Sequence, residues 1–516
     1  MSEYGFWNLA ARHAEALALV TPDGQQIRAG ELAASSNALV RGMRALGLER
    51  GDAVATVLPN GRAMIELYLA AFQSGLYLTP INHHLTGPEI AYILSDCEAQ
   101  LLVGDARFAA ACATARKESG IAGERCFAVG SIEGFGAYSS LSEGQPTTPP
   151  ADRTAGQVMN YTSGTTGRPK GVRRRLMDFD PDMVGSMYAM FLSMFGIEPL
   201  ANNVHLVGSP LYHTAVLMFT AGSLHYGHTV VLMDKWTPES ALEMMQRYRV
   251  TTSHMVPTQF HRLLALPEET RKRYDLASLR HMIHAAAPCP VDVKTRMLQW
   301  WGPVVYEYYA ASEGGGTLVT PEEWMQKPGT VGRAWAGSSI RILDDDGNEC
   351  PAGTPGTVYM AMGSADFEYH KDKAKTEANR KDGFFTVGDI GYLDEDGYLF
   401  LCDRKIDMII AGGVNIYPTE IENTLLSHPM VGDAAVFGIP NEDLGEEVKA
   451  VIEPAANVAP GPQLAAQLDA FCKERLAKYK CPRSYDFVTE MPRDPNGKLF
   501  KRKLRDPYWE GRERRI

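Results

Sequence analysis

The residues best suited to chemistry in this 516-residue chain crowd into positions 161–172, YTSGTTGRPKGV, where three glycines, four aliphatic hydroxyls and one lysine share twelve places. Glycine permits positive φ and close approach, so such a loop can turn backbone N–H groups and hydroxyls toward a polyphosphate while Lys170 neutralises charge. It is not a Walker A loop, because Pro169 precedes Lys170 and Gly171 stands where a magnesium-holding Ser or Thr would be. A flexible surface loop has the same composition, and only the company this segment keeps favours phosphate binding. That company includes His213 closing PLYH, Tyr308 and Tyr309 leading into Ser312 and Glu313, Asp389 after Gly388, and Lys498 after an Asn-Gly pair. Taken singly each has an ordinary explanation: a structural histidine, core tyrosines, a turn aspartate and a solvated turn lysine.

The elements that must hold these residues alternate short apolar runs with longer helical patterns, the signature of parallel sheets covered by helices. A first series reads as strands at 53–58, 76–81 and 101–105, with helices at 60–75 and 88–95. A second runs through strands at 204–210, 229–234, 251–256, 280–287 and 304–309, and Thr237 with Pro238 supplies an N-cap and first-turn proline for a helix over 239–249. The Pro/Thr-rich stretch 145–153 reads as a linker between them. After Gly329 the turn signals DDDGN and DEDGY mark a β-rich subdomain, and helices at 418–427 and 464–477 mark a separate α+β unit. The fold expected is α/β: a large N-terminal domain, 1–403, of two doubly wound subdomains plus the β-rich one, and a small mobile α+β C-terminal domain, 404–516.

Composition narrows the function. Lys plus Arg is 51 against 62 Asp plus Glu, a net −11 with charges mixed along the chain, which argues against a nucleic-acid partner. The N-terminal segment has no basic start and no apolar block, so a secretory signal is not expected. The Met-rich uncharged stretch 183–197 is too short for a membrane span, so no transmembrane segment is expected. Eight cysteines lack any CxxC or zinc spacing and read as reduced thiols, which points to a cytoplasmic protein.

Six segments in order, YTSGTTGRPKGV, PLYH (210–213), YYAASE (308–313), VGDIGYLDEDGYLFLCDR (387–404), AGGVNIYPTEIE (411–422) and PRDPNGKL (492–499), make the chain resemble the AMP-forming adenylate-forming superfamily of acyl-CoA synthetases, luciferases and peptide-synthetase adenylation domains. The resemblance covers essentially the whole chain. It implies a two-step reaction in which a carboxylate attacks the α-phosphate of ATP, releasing pyrophosphate, and the CoA thiolate then displaces AMP from the acyl-adenylate. By that resemblance Thr162, Ser163, Gly164, Thr165, Thr166, Gly167 and Lys170 cradle the β- and γ-phosphates, Thr162 and Glu313 hold Mg2+, and Lys498 bridges the carboxylate and the α-phosphate. Tyr309, next to Tyr308 and Ala310, stacks on adenine opposite the run that includes Ala286 and Ala287, with Ser312 alongside. Asp389 and Arg404 hold the ribose. His213, Met187, Ala311 and Gly314 belong to the acyl pocket, Gly412, Gly413 and Val414 to the CoA site, and Ile406 to the hinge near 403–407.

Three positions depart from the commonest family form. Ala310 replaces a glycine, Val387 a threonine, and Ile406 an Asp or Lys. The altered hinge and the extra methyl of Ala310, set against an unaltered Lys498, point to a weakened adenylation half-reaction beside an intact thiolation half. The small residues Ala310, Ala311 and Gly314 to Gly316 suggest a roomy pocket, and the apolar 183–197 stretch suggests a hydrophobic acid, whether fatty, aromatic, steroid or terpenoid. The basic runs 173–175 and 501–503 read as solvated faces or as contacts for CoA phosphates. The reading is thus an AMP-forming acyl-CoA ligase using ATP, Mg2+ and CoA, with a homodimer the expected oligomer because dimers are common among homo-oligomers; the alternatives are an acyl-AMP ligase loading a carrier protein and a nucleotide-binding regulatory protein that has lost catalysis.

Overall fold

The computed structural model describes residues 3–162, 169–311, 314–363, 368–371, 376–377, 379–493 and 499–510. The chain divides into two compact units: residues 1–254 with 268–282 and 364–378, and residues 255–267 with 283–363 and 379–516.

Two largely parallel sheets carry much of the first unit. In one, six strands run in the order Gly136–Ala137, Cys126–Val129, Ala99–Asp105, Ala53–Val57, Tyr77–Pro80 and Gln157–Val158, every neighbouring pair parallel. A parallel sheet is covered on both faces, which is why Ala53–Val57 has Thr56 as its one polar residue and is buried at all five positions. In the other, Val204–Val207 lies between Thr229–Leu232 and Thr252–Met255, all parallel. The N-terminal strand Leu17–Val20 adds alongside Thr229–Leu232 and turns back into Gln26–Arg28. The helix Pro238–Arg247 begins, as its sequence predicts, at Thr237, whose hydroxyl accepts from the Ser240 N–H. A continuous apolar core runs from Phe6 and Trp7 through Leu67 and Phe72 to Leu217 and Leu232.

The second unit is mostly antiparallel. The strand Val305–Ala310 pairs with Gly316–Val319, which pairs with Arg333–Ala334. A further sheet holds Ser338–Leu343, Gly356–Met362, Asp389–Leu393 and Leu399–Arg404. The DEDGY signal is the turn joining the last two: Asp394 Oδ1 accepts from the N–H groups of Asp396 and Tyr398. Beyond residue 408 the chain builds its own sheet and its own core, in which Ile416, Ile421 and Leu425 pack with Val436, Ile452, Leu464 and Leu468.

Candidate active site

In the first unit, the glycine-rich segment is carried by an antiparallel hairpin. Asn160–Thr162 pairs with Lys170–Arg173 in the register Lys170↔Thr162 and Gly171↔Tyr161, so residues 163–169 are the connection between two fixed ends. Ser163, Gly164, Thr165, Thr166 and Gly167 lie outside the described residues, as does the Thr162 side chain. Both ends are tied to the helix Gly87–Asp96: Tyr161 Oη donates to Asp96 Oδ2 at 2.6 Å, and Tyr92 Oη donates to the Pro169 carbonyl at 3.3 Å. Gly171 has a packing reason: a Cβ there would meet Met159 Cε at 2.4 Å and the Tyr161 ring at 3.1 Å.

The PLYH segment is held from below. The buried Asn60 amide donates to the carbonyls of Ser209 and Met233 at 3.0 and 3.1 Å, and its oxygen accepts from the Leu211 N–H at 2.8 Å. These bonds fix the loop that ends in His213, the N-cap residue of the apolar helix Thr214–His225. Tyr212 stands edge-on to His83, and burial together with the neighbouring His84 pushes His83 down to about 4, so its ring is neutral at physiological pH. The helix Pro181–Ser193 buries Val184, Ala189 and Leu192 and leaves Met183, Met187 and Met190 on its open side, Met187 at 48% exposure. The Met-rich stretch is therefore neither a plain core helix nor wholly enclosed.

In the second unit three of the expected nucleotide residues meet. Asp389 and Arg404 are direct cross-strand partners, with Arg404 Nε 3.3 Å from Asp389 Oδ1. Tyr309 Oη donates to Asp389 Oδ2 at 2.6 Å. The carboxylate is 8% exposed and keeps further lone pairs, which suits it to accept from two adjacent hydroxyls. Tyr309 is half-buried near the end of its strand, with Tyr308 buried before it and Ala310 exposed after it. Ser312 and Glu313 lie outside the described residues. Ala286, exposed two residues after the buried end of the strand His281–His284, has φ 73°, a left-handed conformation costing an alanine about 1 kcal/mol or more.

The glycines after Glu313 do not simply make room. A Cβ on Gly316 would lie 2.2 Å from the Tyr309 carbonyl and 2.5 Å from the Trp335 ring, so its space is already filled by close packing, and Gly314 and Gly315 serve the turn with φ of 126° and 74°. At Gly316, then, close packing fills the space that the run of small residues suggests; Ala311, before the turn, is half-buried.

In the C-terminal part, Gly412 and Gly413 are the two central residues of the hairpin joining Ile409–Ala411 to Val414–Ile416, both with positive φ, 59° and 78°. Such a two-residue turn demands glycine and brings bare backbone to the surface beside Val414, which is 45% exposed. Ile406 is half-buried in a turn closed by the N–H of Asp407 and of Met408 on the Arg404 carbonyl. The basic run 501–503 is not a uniform solvated face. Lys501 is mostly buried, 2.8 Å from Glu422, and Asp403 and Asp407 help Glu422 raise it against the cost of burial. Lys498 lies outside the described residues; the chain on either side is closed by a bridge between Arg493 and Leu499, and Arg493 grips Asp433 through two nitrogens.

A family model described as AMP-binding enzyme matches residues 6–364, and one for the AMP-binding enzyme C-terminal domain matches residues 420–498. The chain belongs to the AMP-forming adenylate-forming superfamily. Among its relatives is a fatty acid–[acyl-carrier-protein] ligase of Streptomyces coeruleorubidus, 31% identical and covering 98% of this chain and 96% of its own. A 2-succinylbenzoate–CoA ligase of Bacillus licheniformis is 32% identical over 90% of this chain and 91% of its own. The crystal structure of ATP-bound MatB from Rhodopseudomonas palustris superposes with a TM-score of 0.81 at 30% identity, over 96% of both chains. The large N-terminal and small C-terminal architecture of superfamily structures is thus the fold of this chain, and its chemistry is that of an adenylate-forming ligase.

Within that superfamily fold, sequence reasoning missed the residues that brace the site. Asn60 and Asp96 carry no motif. Lys294 and Glu307 leave a fainter trace: a lysine on the otherwise apolar inner face of the helix Val291–Trp301, beside Val293, Met297 and Leu298, and a glutamate at an inward strand position. Each is improbable alone, and together they imply a buried pair.

Proposed function

We propose that this superfamily member is an AMP-forming acyl-CoA ligase acting on a hydrophobic carboxylic acid. The observation that carries the reading is the Tyr309–Asp389–Arg404 cluster, a buried acceptor beside an aromatic ring and a guanidinium, which suits the ribose and adenine of a nucleotide. Asp389 would accept from both ribose hydroxyls, and Tyr309 would stack on the base against Ala286 and Ala287. Ser163 to Thr166 and Lys170 would bind the β- and γ-phosphates. Thr162 and Glu313 would hold Mg2+, which screens the phosphates when bound. Lys498 would lie between the carboxylate and the α-phosphate, where two anions must approach and a preorganised cation lowers the barrier most. His213 and Met187, with Ala311 and Gly314, would face the acid.

For the second half-reaction, the Gly412–Gly413 turn would admit pantetheine against bare backbone, residues 404–516 moving as a cap about 403–407. The compact units group this segment with 283–363, and the proposed boundary concerns which part moves. Burial of the apolar Ile406 in its turn would favour one cap position, and about 1.4 kcal/mol is already tenfold in population. That, with the extra methyl of Ala310, supports a weakened adenylation half. Pantetheine is also the arm of a carrier protein, so CoA is the preferred acceptor and a holo-carrier the second. Free cysteines throughout support a reducing, cytoplasmic setting.

The test is a panel of carboxylic acids with ATP and Mg2+, offered CoA or a holo-acyl-carrier protein, scored by thioester mass and AMP release. Acyl-CoA formation with a hydrophobic acid is expected. Acylation of the carrier alone would move the reading to the second acceptor, and nucleotide binding with no acid-dependent AMP release would leave a regulatory protein. Carboxylate-dependent ATP–pyrophosphate exchange should be slow relative to CoA acylation from supplied acyl-adenylate; robust exchange would sink the weakened-half idea.

A further inference from the structure

Beneath the nucleotide cluster lies a group of buried charges that neither half-reaction uses. Lys294 Nζ donates to Glu307 Oε2 at 2.6 Å, and His284 Nε2 stands 3.4 Å from the same oxygen. The ammonium also lies 4.8 Å from the centre of the Trp324 ring. Lys294 and His284 are 0% exposed and Glu307 is 6% exposed. Burial alone would raise the Glu307 carboxyl, but Lys294 and His284 outweigh it and hold it down to about 2, while burial keeps His284 low and neutral. Burial also pulls Lys294 down and its bond to Glu307 opposes that, and the 2.6 Å contact is the geometry of a hydrogen-bonded ion pair.

Taking both charges out of water costs several kcal/mol, and apolar side chains of the same volume would avoid that cost. What a charged, hydrogen-bonded pair supplies instead is direction, because it is satisfied in one geometry only. The three residues sit where direction matters. His284 is the last residue before Ala285, Ala286 and Ala287, and Lys294 lies in the first turn of the helix that follows that loop. Glu307 precedes Tyr309 by two residues on one strand, so both side chains leave the same face about 7 Å apart. Ala286, held at φ 73°, is the kind of strained residue that persists only where its surroundings over-determine it.

We propose that Lys294, Glu307 and His284 are positioning residues that lock the 285–288 loop to the Tyr309 strand and so set the width of the slot for a purine base. This rests on the reading of that cluster as the nucleotide site. The group touches no substrate; it acts by holding the two walls in register.

The experiment compares the wild-type chain with K294M/E307L, which removes both charges together and leaves neither orphaned. Binding of ATP and of inorganic tripolyphosphate, which has no base, is measured by calorimetry with Mg2+, beside a urea unfolding curve. The double variant is expected to bind ATP about tenfold or more weakly with tripolyphosphate binding unchanged, since a small misplacement of one wall costs that much. K294R, which keeps the cation, should recover most of the ATP affinity. A folded double variant that binds ATP as the wild type does overturns the proposal, and so does an equal loss for both ligands, the mark of general destabilisation. Should K294M/E307L fail to fold, E307D, which shortens the carboxylate by one methylene, carries the same comparison with the same outcomes. Wild-type protein that binds tripolyphosphate but shows no preference for ATP overturns the nucleotide reading itself, a result distinct from any variant effect.

Discussion

Asp389 concentrates the site's chemistry in one side chain. It already accepts from Tyr309 and faces Arg404, so its orientation is set before any ligand arrives, and hydroxyls would meet a carboxylate that needs no reorganisation. Asp389→Ala removes two bonds to a charged acceptor, each worth about 1.5–3 kcal/mol, and the KM for ATP is expected to rise at least about a hundredfold. Tyr309→Phe keeps the ring and loses the bond to Asp389, so a smaller rise, about tenfold, should appear in the same steady-state titration. Lys498→Ala is expected to behave differently: ATP binding by calorimetry should persist while acid-dependent pyrophosphate release falls about a hundredfold or more. Retained release in Lys498→Ala would shift the bridging role to another residue.

Among the elements, hairpins do the presenting. The 160–162 and 170–173 strands fix both ends of the glycine-rich connection, and the Gly412–Gly413 turn projects bare backbone from the C-terminal sheet. Gly413 has open space around its Cα, so Gly413→Ala meets no clash, but its φ of 78° is costly for alanine. A stability loss of about 1 kcal/mol in urea is expected, with thioester formation slowed and ATP–pyrophosphate exchange untouched. The C-terminal helix Lys501–Arg505 follows the Lys498 segment and is latched by Lys501 to Glu422. Lys501→Met leaves Glu422 buried without its cation, and a loss of about 3 kcal/mol is expected, whereas Lys501→Met with Glu422→Leu should recover much of it. Equal unfolding midpoints for the single and double variants would show that the pair is not coupled.

At the scale of the whole molecule, the net charge of −11 offers no general attraction to ATP or CoA, so anion binding has to be local. The same molecule stores acid sensitivity in its core. Burial lowers His205 and His225 to about 3 and His228 to about 4, from 6.5. Below pH 6.5 the unfolded chain takes up protons at these positions and the native chain does not, so stability falls with pH by up to about 1.4 kcal/mol per pH unit for each. The depressed Glu307 acts later: its stabilisation is complete above about 4.5 and is lost as pH drops toward 2. Urea midpoints are expected to fall steadily from pH 6.5 to 4; a flat profile over that range would contradict the buried neutral histidines.

Much of this is legible in the sequence, and the reason is locality. Side-chain period, helix caps and turn residues act over a few positions, so Ala53–Val57, the Thr237 cap and the DEDGY turn follow from neighbouring residues alone. The order of the six motifs likewise survives in one dimension and was enough to indicate the superfamily. What tertiary structure alone decided is which distant groups share a space. That Leu17–Val20 joins the sheet of Thr229–Leu232, that Lys501 is buried on Glu422, that Gly316 is packed shut by Trp335, and that Lys294 finds Glu307 under Tyr309 all depend on contacts between segments far apart in the chain. A charged residue in sequence carries no mark of its partner, because pairing is settled by burial, and burial belongs to the fold as a whole.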